Sequence, residues 1–269
     1  VALDKNFEVE VFDLPNDLDR FVGTRNAHIC AVPVFHGRGG EDGQVQGFLE
    51  TLGVPYIFSD VEAHAIGMNK AVCKKLLQMH GFNTPKWLML GREDEYEFEH
   101  PVVVKPFDNG SSVGVQLVRT SDDLGLAIKN TFEQSTRALV EELIEGREFT
   151  VAVVDDRALP VIEIRSKNEF FDLESKYDPD LCDEICPAQI DESLSDQLKE
   201  MALAAHDLIG ARHLSRTDMI VDEDGAIWFL EINTIPGLTD DSLLPKALQA
   251  ADLDFADLLH KWIHDTIDA

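Results

Sequence analysis

The chain has 269 residues, 44% of them hydrophobic, which is enough to build a substantial core divided between two or three lobes. Its 51 acidic residues against 23 basic residues give a formal net charge of −28. Such a charge repels phosphate backbones and anionic lipids, so neither nucleic acid nor a membrane is expected as a partner. No run is apolar and long enough to span a bilayer, and no signal peptide opens the sequence. Four scattered cysteines are typical of reduced thiols, and we expect a cytoplasmic location.

The first third of the sequence has the pattern of an α/β lobe. Apolar runs at 7–12 and 29–35 predict short strands, and the second leads into the glycine-rich segment HGRGGEDG at 36–43. His36 stands where the second strand would end, a position that suits contact with a substrate. A histidine that only orders the loop explains the same spacing equally well.

Two lysines lie at the ends of predicted elements. A helical pattern covers 67–81, and Lys70 falls in its first turn, where the helix dipole disfavours a cation unless water or an anion holds it. The apolar run 101–105 predicts a buried strand that ends at Lys105. These positions favour phosphate binding.

Two polar loops offer further side chains to a ligand. A glycine-serine loop at 108–114 follows Lys105, and its backbone amides suit phosphate oxygens. A longer loop covers 166–187, and loops of that length commonly cover active sites or are disordered. The candidates in the two loops are Ser111, Ser112, Lys176 and Tyr177.

Valine-rich runs on both sides of Gly146 predict two strands joined by a hinge. Glu141 and Glu142 end the first run, and Glu148 opens the second. A hinge of this kind suits a purine against its backbone and ribose hydroxyls against a carboxylate. Surface glutamates at strand ends explain the same spacing without a ligand.

The stretch 213–243 is the most informative, because it predicts two strands joined at the Asp-Gly dipeptide 224–225. Counting outward from a two-residue turn pairs residues 218 and 231, and 216 and 233, and directly opposed residues share a face. That face carries Arg216, Asp218, Glu231 and Asn233. The other, mostly apolar face carries Thr217, Met219, Val221, Trp228, Leu230 and Ile232.

The polar face of this hairpin has the donors of a metal and phosphate site. Two opposed carboxylates repel each other unless a cation lies between them, and hard oxygen ligands suit Mg²⁺ or Mn²⁺. An arginine beside them suits negative charge on a phosphoryl or carboxyl oxygen. A solvated hairpin face is the alternative that needs no ligand.

Taken together, the motifs resemble those of the D-alanine–D-alanine ligases, which belong to the ATP-grasp superfamily. They follow the family's order and extend over nearly the whole chain from His36. The segments that carry the resemblance are HGRGGEDGQVQG (36–47), MNK (68–70), VVVKP (102–106), GSSVGV (110–115), EGREFTV (145–151), ESKY (174–177), CPA (186–188), RTD (216–218) and LEINTIPGLTDDSL (230–243).

The resemblance implies an α/β chain, α+β in its ATP-grasp lobes, that grips ATP between two antiparallel sheets. It implies a Rossmann-like N-terminal lobe at 1–66, a central lobe at 67–144 and a C-terminal lobe at 145–269. The family's usual first strand and glycine-serine loop, whose glutamate binds the first D-alanine, find no match here, so we expect a shortened N-terminal lobe. A homodimer is a further expectation from the family.

The resemblance also implies roles for individual residues. Lys70 and Lys105 match phosphate-binding lysines, and Glu148 matches a ribose ligand. Glu141 and the backbone of Leu143 would hold adenine. The matched nucleotide-binding positions are Lys70, Lys105, Ser112, Glu141, Glu142, Leu143, Ile144 and Glu148. Two Mg²⁺ or Mn²⁺ ions would be held by Asp218, Glu231 and Asn233.

Other matches concern catalysis and the amino-acid substrates. Arg216 and the Gly237 amide would stabilise a tetrahedral species, and Lys176 would contact the transferring phosphate. Ser111 and Tyr177 match a hydrogen-bonded pair of the family. The matched substrate positions are His36 for the first D-alanine, and Ser242 and Leu243 for the carboxylate of the second.

The implied reaction has two steps: D-alanine takes the γ-phosphate of ATP as an acyl phosphate, and the amine of a second D-alanine displaces that phosphate. Two alternatives remain open from the sequence. One is a related ligase that uses D-lactate, D-serine or an L-amino acid as acceptor. The other is a nucleotide-binding module with an incomplete subsite for the first substrate.

Overall fold

The computed structural model describes residue 3 and residues 7–108, 114–166 and 182–268. Its helices are α1 (Leu18–Thr24), α2 (Gln44–Leu52), α3 (Val61–Met68), α4 (Lys70–Met79), α5 (Ser121–Gln134), α6 (Glu192–Leu208), α7 (Leu243–Ala250) and α8 (Phe255–Asp268). Its strands are β1 (Trp87–Leu90), β2 (Val102–Pro106), β3 (Gln116–Val118), β4 (Ala138–Glu142), β5 (Arg147–Val154), β6 (Arg157–Ala158), β7 (Ile162–Ser166), β8 (Cys182–Ile185), β9 (Leu214–Val221) and β10 (Ile227–Asn233). In these stretches, no helix is long and apolar enough to cross a membrane.

A four-stranded antiparallel sheet with the order β1-β4-β2-β3 forms the smaller layer. Its valine-rich strands bury one face against α5, and Val102 and Val104 are fully buried in that core. The predicted strands at 101–105 and 137–142 are therefore confirmed. Helix α5 begins at Ser121, with Thr120 as its N-cap.

A six-stranded antiparallel sheet forms the larger layer, with the order β10-β9-β5-β7-β8 and with β6 beside β5. Alternate residues of β5 pack into opposite cores, as the period of two in a strand requires. Phe149 and Val151 belong to the core that also holds α6. Ala152 and Val154 belong to the core under α7 and α8. The C-terminal segment thus forms two helices, α7 and α8, that pack on the same side of the sheet.

The N-terminal part differs from the expected strands. Within residues 7–108, neither 7–12 nor 29–35 joins a sheet, and Ala31 forms only a single parallel bridge with Tyr56. Val11 is 78% exposed, so this run lacks the buried face that makes an apolar strand favourable. A small core of aromatic and aliphatic side chains between α1 and α2 orders this region instead.

The helix expected at 67–81 is interrupted near its start. α3 ends at Met68 and α4 begins at Lys70, with Asn69 between them. The Asn69 side chain accepts a hydrogen bond from the Val72 amide, so it caps the new helix. This break fixes Lys70 as the first residue of α4.

Candidate functional site

The hairpin β9–β10 has the predicted cross-strand pairs, Asp218 with Glu231 and Arg216 with Asn233. The turn that produces them differs from the prediction. The Asp222 amide donates to the Ala226 carbonyl, so the loop is three residues long, and the register shifts by one residue between Phe229 and Glu231. The bulge compensates for the longer turn, because each moves the pairing by one residue in the opposite direction.

The same bulge changes which side chains of β10 face the core. Phe229 pairs with Met219 and both are fully buried. Trp228, which was expected on that apolar face, pairs with Ile220 on the opposite face and donates its Nε1–H to Asp222 at 2.7 Å. The expected position of Trp228 is therefore wrong.

The Asp218 carboxylate is held from three sides. Arg216 donates through Nε and Nη2 to its two oxygens at 2.9 and 2.7 Å. Thr150 of β5 donates from Oγ1 at 2.6 Å, and the Asn233 amide nitrogen lies at 3.3 Å. Burial works to lower the pKa of Arg216, but the charge and hydrogen bonds of Asp218 outweigh burial and raise it. The guanidinium therefore stays charged.

Lys70 joins helix α4 to this hairpin. Its Nζ lies 2.8 Å from Oε2 of Glu231, and its side chain is 8% exposed. Burial alone would lower the pKa of Lys70, but the charge of Glu231 and their hydrogen bond raise it. A protonated lysine is thus fixed beside the carboxylates of the hairpin.

Lys105 lies at the smaller sheet and contacts the end of β4. Its Nζ is 2.8 Å from Oε2 of Glu141, whose other oxygen lies 3.2 Å from Nζ of Lys74. Burial favours the neutral form of Glu141, but the two ammonium groups outweigh this effect and lower its pKa. Sequence reasoning missed Lys74. The signal was available, because Lys74 lies four residues after Lys70 and so on the same helix face.

The segment between β4 and β5 supplies backbone groups next to these lysines. The Leu143 amide donates to the Pro101 carbonyl at 3.1 Å, and the Glu142 amide donates to the Lys86 carbonyl at 2.8 Å. Because the Leu143 N–H is engaged within the protein, a purine at this hinge would meet the Leu143 carbonyl rather than its amide. Ile144 and Glu148 are both half-buried.

The loop at 36–43 contributes a residue that sequence reasoning missed. Glu41 accepts a hydrogen bond from the Gly37 amide at 2.5 Å and interacts electrostatically with Lys70 and Arg216. Burial raises the pKa of Glu41 to about 7, although the Gly37 hydrogen bond and the two cations oppose the shift. His36, the residue singled out from the sequence, is exposed. The GEDG segment within the same motif was the signal for Glu41.

The segment after β10 brings Gly237 next to Ser242. A Cβ at Gly237 would lie 2.7 Å from Oγ of Ser242, so only glycine allows this approach. Ser242 is the N-cap of α7, and its Oγ lies 2.7 Å from Oγ1 of Thr239. The Leu243 side chain is buried in the core, so only the backbone of this residue is available to a ligand. A helix start of this kind suits a carboxylate.

Four sequence-predicted site residues lie outside the described stretches. They are Ser111, Ser112, Lys176 and Tyr177. Their roles stay predictions from the sequence.

Comparison with known proteins identifies the family. The model of the D-Ala–D-Ala ligase C-terminus matches residues 64–264. The D-alanine–D-alanine ligase of Alcanivorax borkumensis is 40% identical over 256 residues, which are 95% of this chain and 83% of that protein. The chain belongs to the D-alanine–D-alanine ligase family. Another relative, the D-alanine–D-alanine ligase of Geobacter sulfurreducens, is 41% identical over 87% of this chain and 75% of its own length.

Solved structures of this ligase family share the fold. The Bacillus anthracis D-alanine–D-alanine ligase complexed with ATP superposes with a TM-score of 0.84 at 32% identity, over 98% of this chain and 87% of that one. The VanG D-Ala:D-Ser ligase from Enterococcus faecalis gives a TM-score of 0.77 at 33% identity, over 88% and 72% of the two chains. The ATP-grasp fold expected from the sequence is thus confirmed.

The polar face of the β9–β10 hairpin carries side-chain donors that fit a divalent metal ion. Among the described residues, no three histidine, cysteine, aspartate or glutamate side chains form a metal cluster. The predicted set uses two carboxylates and one amide instead, and the opposed pair of Asp218 and Glu231 brings hard oxygen donors to one face with Asn233. Such donors fit Mg²⁺ or Mn²⁺ better than softer metals.

Proposed function

We propose that this chain joins two D-alanine molecules at the expense of ATP, giving D-alanyl-D-alanine, ADP and phosphate for peptidoglycan precursors. The observation that carries the proposal is the convergence of Lys70 and Arg216 on the two opposed carboxylates of the β9–β10 hairpin, in a member of the ligase family. Cations interleaved with carboxylates suit a triphosphate and its metal ions, whereas an apolar or neutral pocket would not.

ATP would lie between the two sheets. Lys70 and Lys105 are each held at 2.8 Å by a carboxylate, so their ammonium groups are already positioned for phosphate oxygens. The backbone from Glu142 to Ile144 would line the adenine, and Glu148 at the start of β5 would accept ribose hydroxyls. A contact of adenine with Glu141 itself stays a prediction, because that carboxylate is engaged by two lysines.

Asp218, Glu231 and Asn233 would hold two Mg²⁺ or Mn²⁺ ions. Such ions neutralise phosphate oxygens and polarise the phosphoryl group. The chain prepares these ligands in advance. Thr150 and Arg216 fix the orientation of Asp218, and Lys70 fixes that of Glu231. Carboxylates held in this way lose less freedom when a ligand binds.

The amino-acid substrates would react at the open side of the hairpin. Arg216 and the Gly237 amide would stabilise the negatively charged oxygen of the tetrahedral species, and the start of α7 at Ser242 would bind the carboxylate of the second D-alanine. His36 would lie beside the first D-alanine, and the backbone of Leu243 beside the second. Ser111, Ser112, Lys176 and Tyr177 keep the roles that the family resemblance implies.

A second candidate function is ligation of D-alanine to D-serine. The similarity to the VanG D-Ala:D-Ser ligase, at 33% identity, favours D-serine over D-lactate or an L-amino acid as the alternative acceptor. A small acceptor with one extra hydroxyl is also hard to exclude from a pocket built for alanine. We further propose that the enzyme is cytoplasmic and forms a homodimer. The molar mass from light scattering tests the oligomeric state directly.

The test is ADP release by this chain with Mg-ATP. D-alanine alone, D-alanine with D-serine, D-alanine with D-lactate, L-alanine and no acceptor are compared, and the dipeptide products are identified by mass spectrometry. Release that requires D-alanine and gives D-alanyl-D-alanine is expected. Nucleotide binding without D-alanine-dependent release would refute the ligase and favour a nucleotide-binding module. A mixed product with D-serine that exceeds D-alanyl-D-alanine would favour the second candidate.

A further inference from the structure

Lys74 is a buried lysine that no step above uses. It lies one helical turn after Lys70 on α4, its side chain is 0% exposed, and its Nζ is 3.2 Å from Oε1 of Glu141. Full burial of a lysine is rare, because the ammonium loses its hydration and regains it only partly from one carboxylate. The burial of this ammonium group therefore needs an explanation other than packing.

Among the residues that the structure describes, the charges paired around Lys74 do not cancel. Lys74 and Lys105 together bring two ammonium groups to the single carboxylate of Glu141, so the group of three carries one surplus positive charge. Lys105 is the member with partial exposure, 10% for its side chain, while Lys74 and Glu141 are at most 2% exposed. The surplus charge is therefore presented on the side of Lys105.

We propose that Lys74 is a positioning residue for ATP: it shares the Glu141 carboxylate, and so weakens the hold of that carboxylate on the Lys105 ammonium, which can then attract a phosphate. Without Lys74, Glu141 and Lys105 would form a neutral pair, and a phosphate would have to compete with a full carboxylate charge for the lysine. This role rests on the proposed function of Lys105 as a nucleotide ligand. Lys74 itself touches neither the nucleotide nor the reacting atoms.

The protonation of Lys74 gives the inference a second line of support. Burial and the charge of Lys105 on β2 lower the pKa of Lys74 to about 8, against the opposing charge of Glu141 on β4. Among the described residues, Cys73 of the same helix also acts on Lys74, with a smaller effect that raises its pKa. Above that pH Lys74 is neutral, and the group of three loses its surplus charge. Affinity for ATP is then expected to fall as the pH rises through 8.

The test measures binding of a non-hydrolysable ATP analogue with Mg²⁺ by titration calorimetry, so it does not depend on turnover. Lys74→Met removes the charge and keeps an unbranched side chain that is one heavy atom shorter. Lys75→Met is the matched control, because Lys75 is the next residue of α4 and is exposed. At pH 7.5, Lys74→Met is expected to weaken binding about tenfold, the order of magnitude for losing one charge several ångströms away at partial screening. Lys75→Met is expected to change it less than about twofold.

The pH profile separates positioning from a merely structural role. Binding by the unaltered chain is expected to weaken between pH 7.5 and 9, and binding by Lys74→Met is expected to stay flat. An unchanged affinity in a folded Lys74→Met variant would overturn the inference, as would the same alkaline loss in that variant. If Lys74→Met fails to fold, a flat profile of the unaltered chain overturns it. Analogue binding without D-alanine-dependent ADP release would refute the proposed ligase but leave this inference standing.

Discussion

Nζ of Lys70 lies 2.8 Å from Oε2 of Glu231, and this ion pair ties the first residue of α4 to the middle of β10. The two side chains are 8% and 17% exposed, so solvent screens the pair only weakly. Each partner is proposed to bind a different part of Mg-ATP, the lysine a phosphate and the carboxylate a metal ion. The ion pair therefore holds both groups in place before the ligand arrives, and ligand binding exchanges one set of opposite charges for another.

Glu231→Gln tests the metal assignment. The amide keeps the size of the side chain but removes the charge that a metal ligand would supply, so turnover is expected to fall by at least ~100-fold, in line with loss of a major electrostatic element. Initial rates at saturating Mg²⁺ and Mn²⁺ provide the measurement. Glu223→Gln, in the exposed turn of the same hairpin, is the control and should retain its rate. Near-normal turnover of Glu231→Gln would refute the assignment of Glu231 as a metal ligand.

Lys105→Ala tests the phosphate assignment. Removal of this ammonium group is expected to raise KM for ATP by roughly 10- to 100-fold, as for a charge-assisted hydrogen bond, with a smaller change in KM for D-alanine. Steady-state kinetics with each substrate varied in turn measure both constants. Lys129→Ala removes an exposed lysine of α5 and controls for the change in net charge. An unaltered KM for ATP in Lys105→Ala would take this residue out of the nucleotide site.

The hairpin shows what the sequence determines and what it leaves open. Counting outward from the Asp-Gly turn correctly paired Asp218 with Glu231. The turn was predicted one residue too short, and a bulge between Phe229 and Glu231, in the middle of β10, cancelled the error. Nothing in the local sequence distinguishes a two-residue loop from a three-residue loop plus a bulge. The wrong face for Trp228 followed from that ambiguity.

Residues that act across elements were harder to foresee. Thr150 reaches Asp218 only because β5 lies beside β9, a neighbour 68 positions away in the chain. Lys74 and Glu141 meet because α4 packs where the small sheet ends. The sequence gives the composition of each element but not which elements adjoin. The predictions of strands at 7–12 and 29–35 were wrong for a related reason. An apolar run becomes a strand only where a neighbouring strand accepts its hydrogen bonds.

His213→Asn tests an acid-sensitive contact behind the site. Nδ1 of His213 accepts a hydrogen bond from the Phe58 amide at 2.9 Å, so this nitrogen must be unprotonated, and burial lowers the pKa of His213 to about 4. The unfolded chain takes up a proton near pH 6.5 and the folded chain does not, so the free energy of unfolding falls as the pH drops from about 6.5 to 4.

Asparagine accepts the same bond and tolerates the positive φ of 66° at this position, but it carries no proton. The fall in the free energy of unfolding should therefore be less steep in His213→Asn, by up to one proton in the slope against pH. Urea denaturation at half-unit steps of pH gives the slopes. The exposed His80→Asn serves as the control and should match the unaltered chain. Equal slopes for all three proteins would remove His213 as a source of acid sensitivity.

Gly146→Ala tests the close approach of the hinge between β4 and β5 to the large sheet. A Cβ at this position would lie 2.2 Å from the carbonyl oxygen of Val221, a backbone atom that cannot turn away. Gly146→Ala must therefore push the hinge off β9, and we expect the free energy of unfolding to fall by about 1–3 kcal/mol, as for an overpacked core. The backbone next to the proposed adenine site would move as well, so KM for ATP should rise.

Gly125→Ala is the matched comparison, because Gly125 lies inside α5 with nothing within 4 Å of its missing Cβ. There the methyl group only removes freedom from the unfolded chain, and the free energy of unfolding should rise by about 0.5–1 kcal/mol. Urea denaturation of the two variants should give opposite signs, and only Gly146→Ala should alter KM for ATP. Equal stability of Gly146→Ala and the unaltered chain would show that the hinge can move away from β9 at little cost.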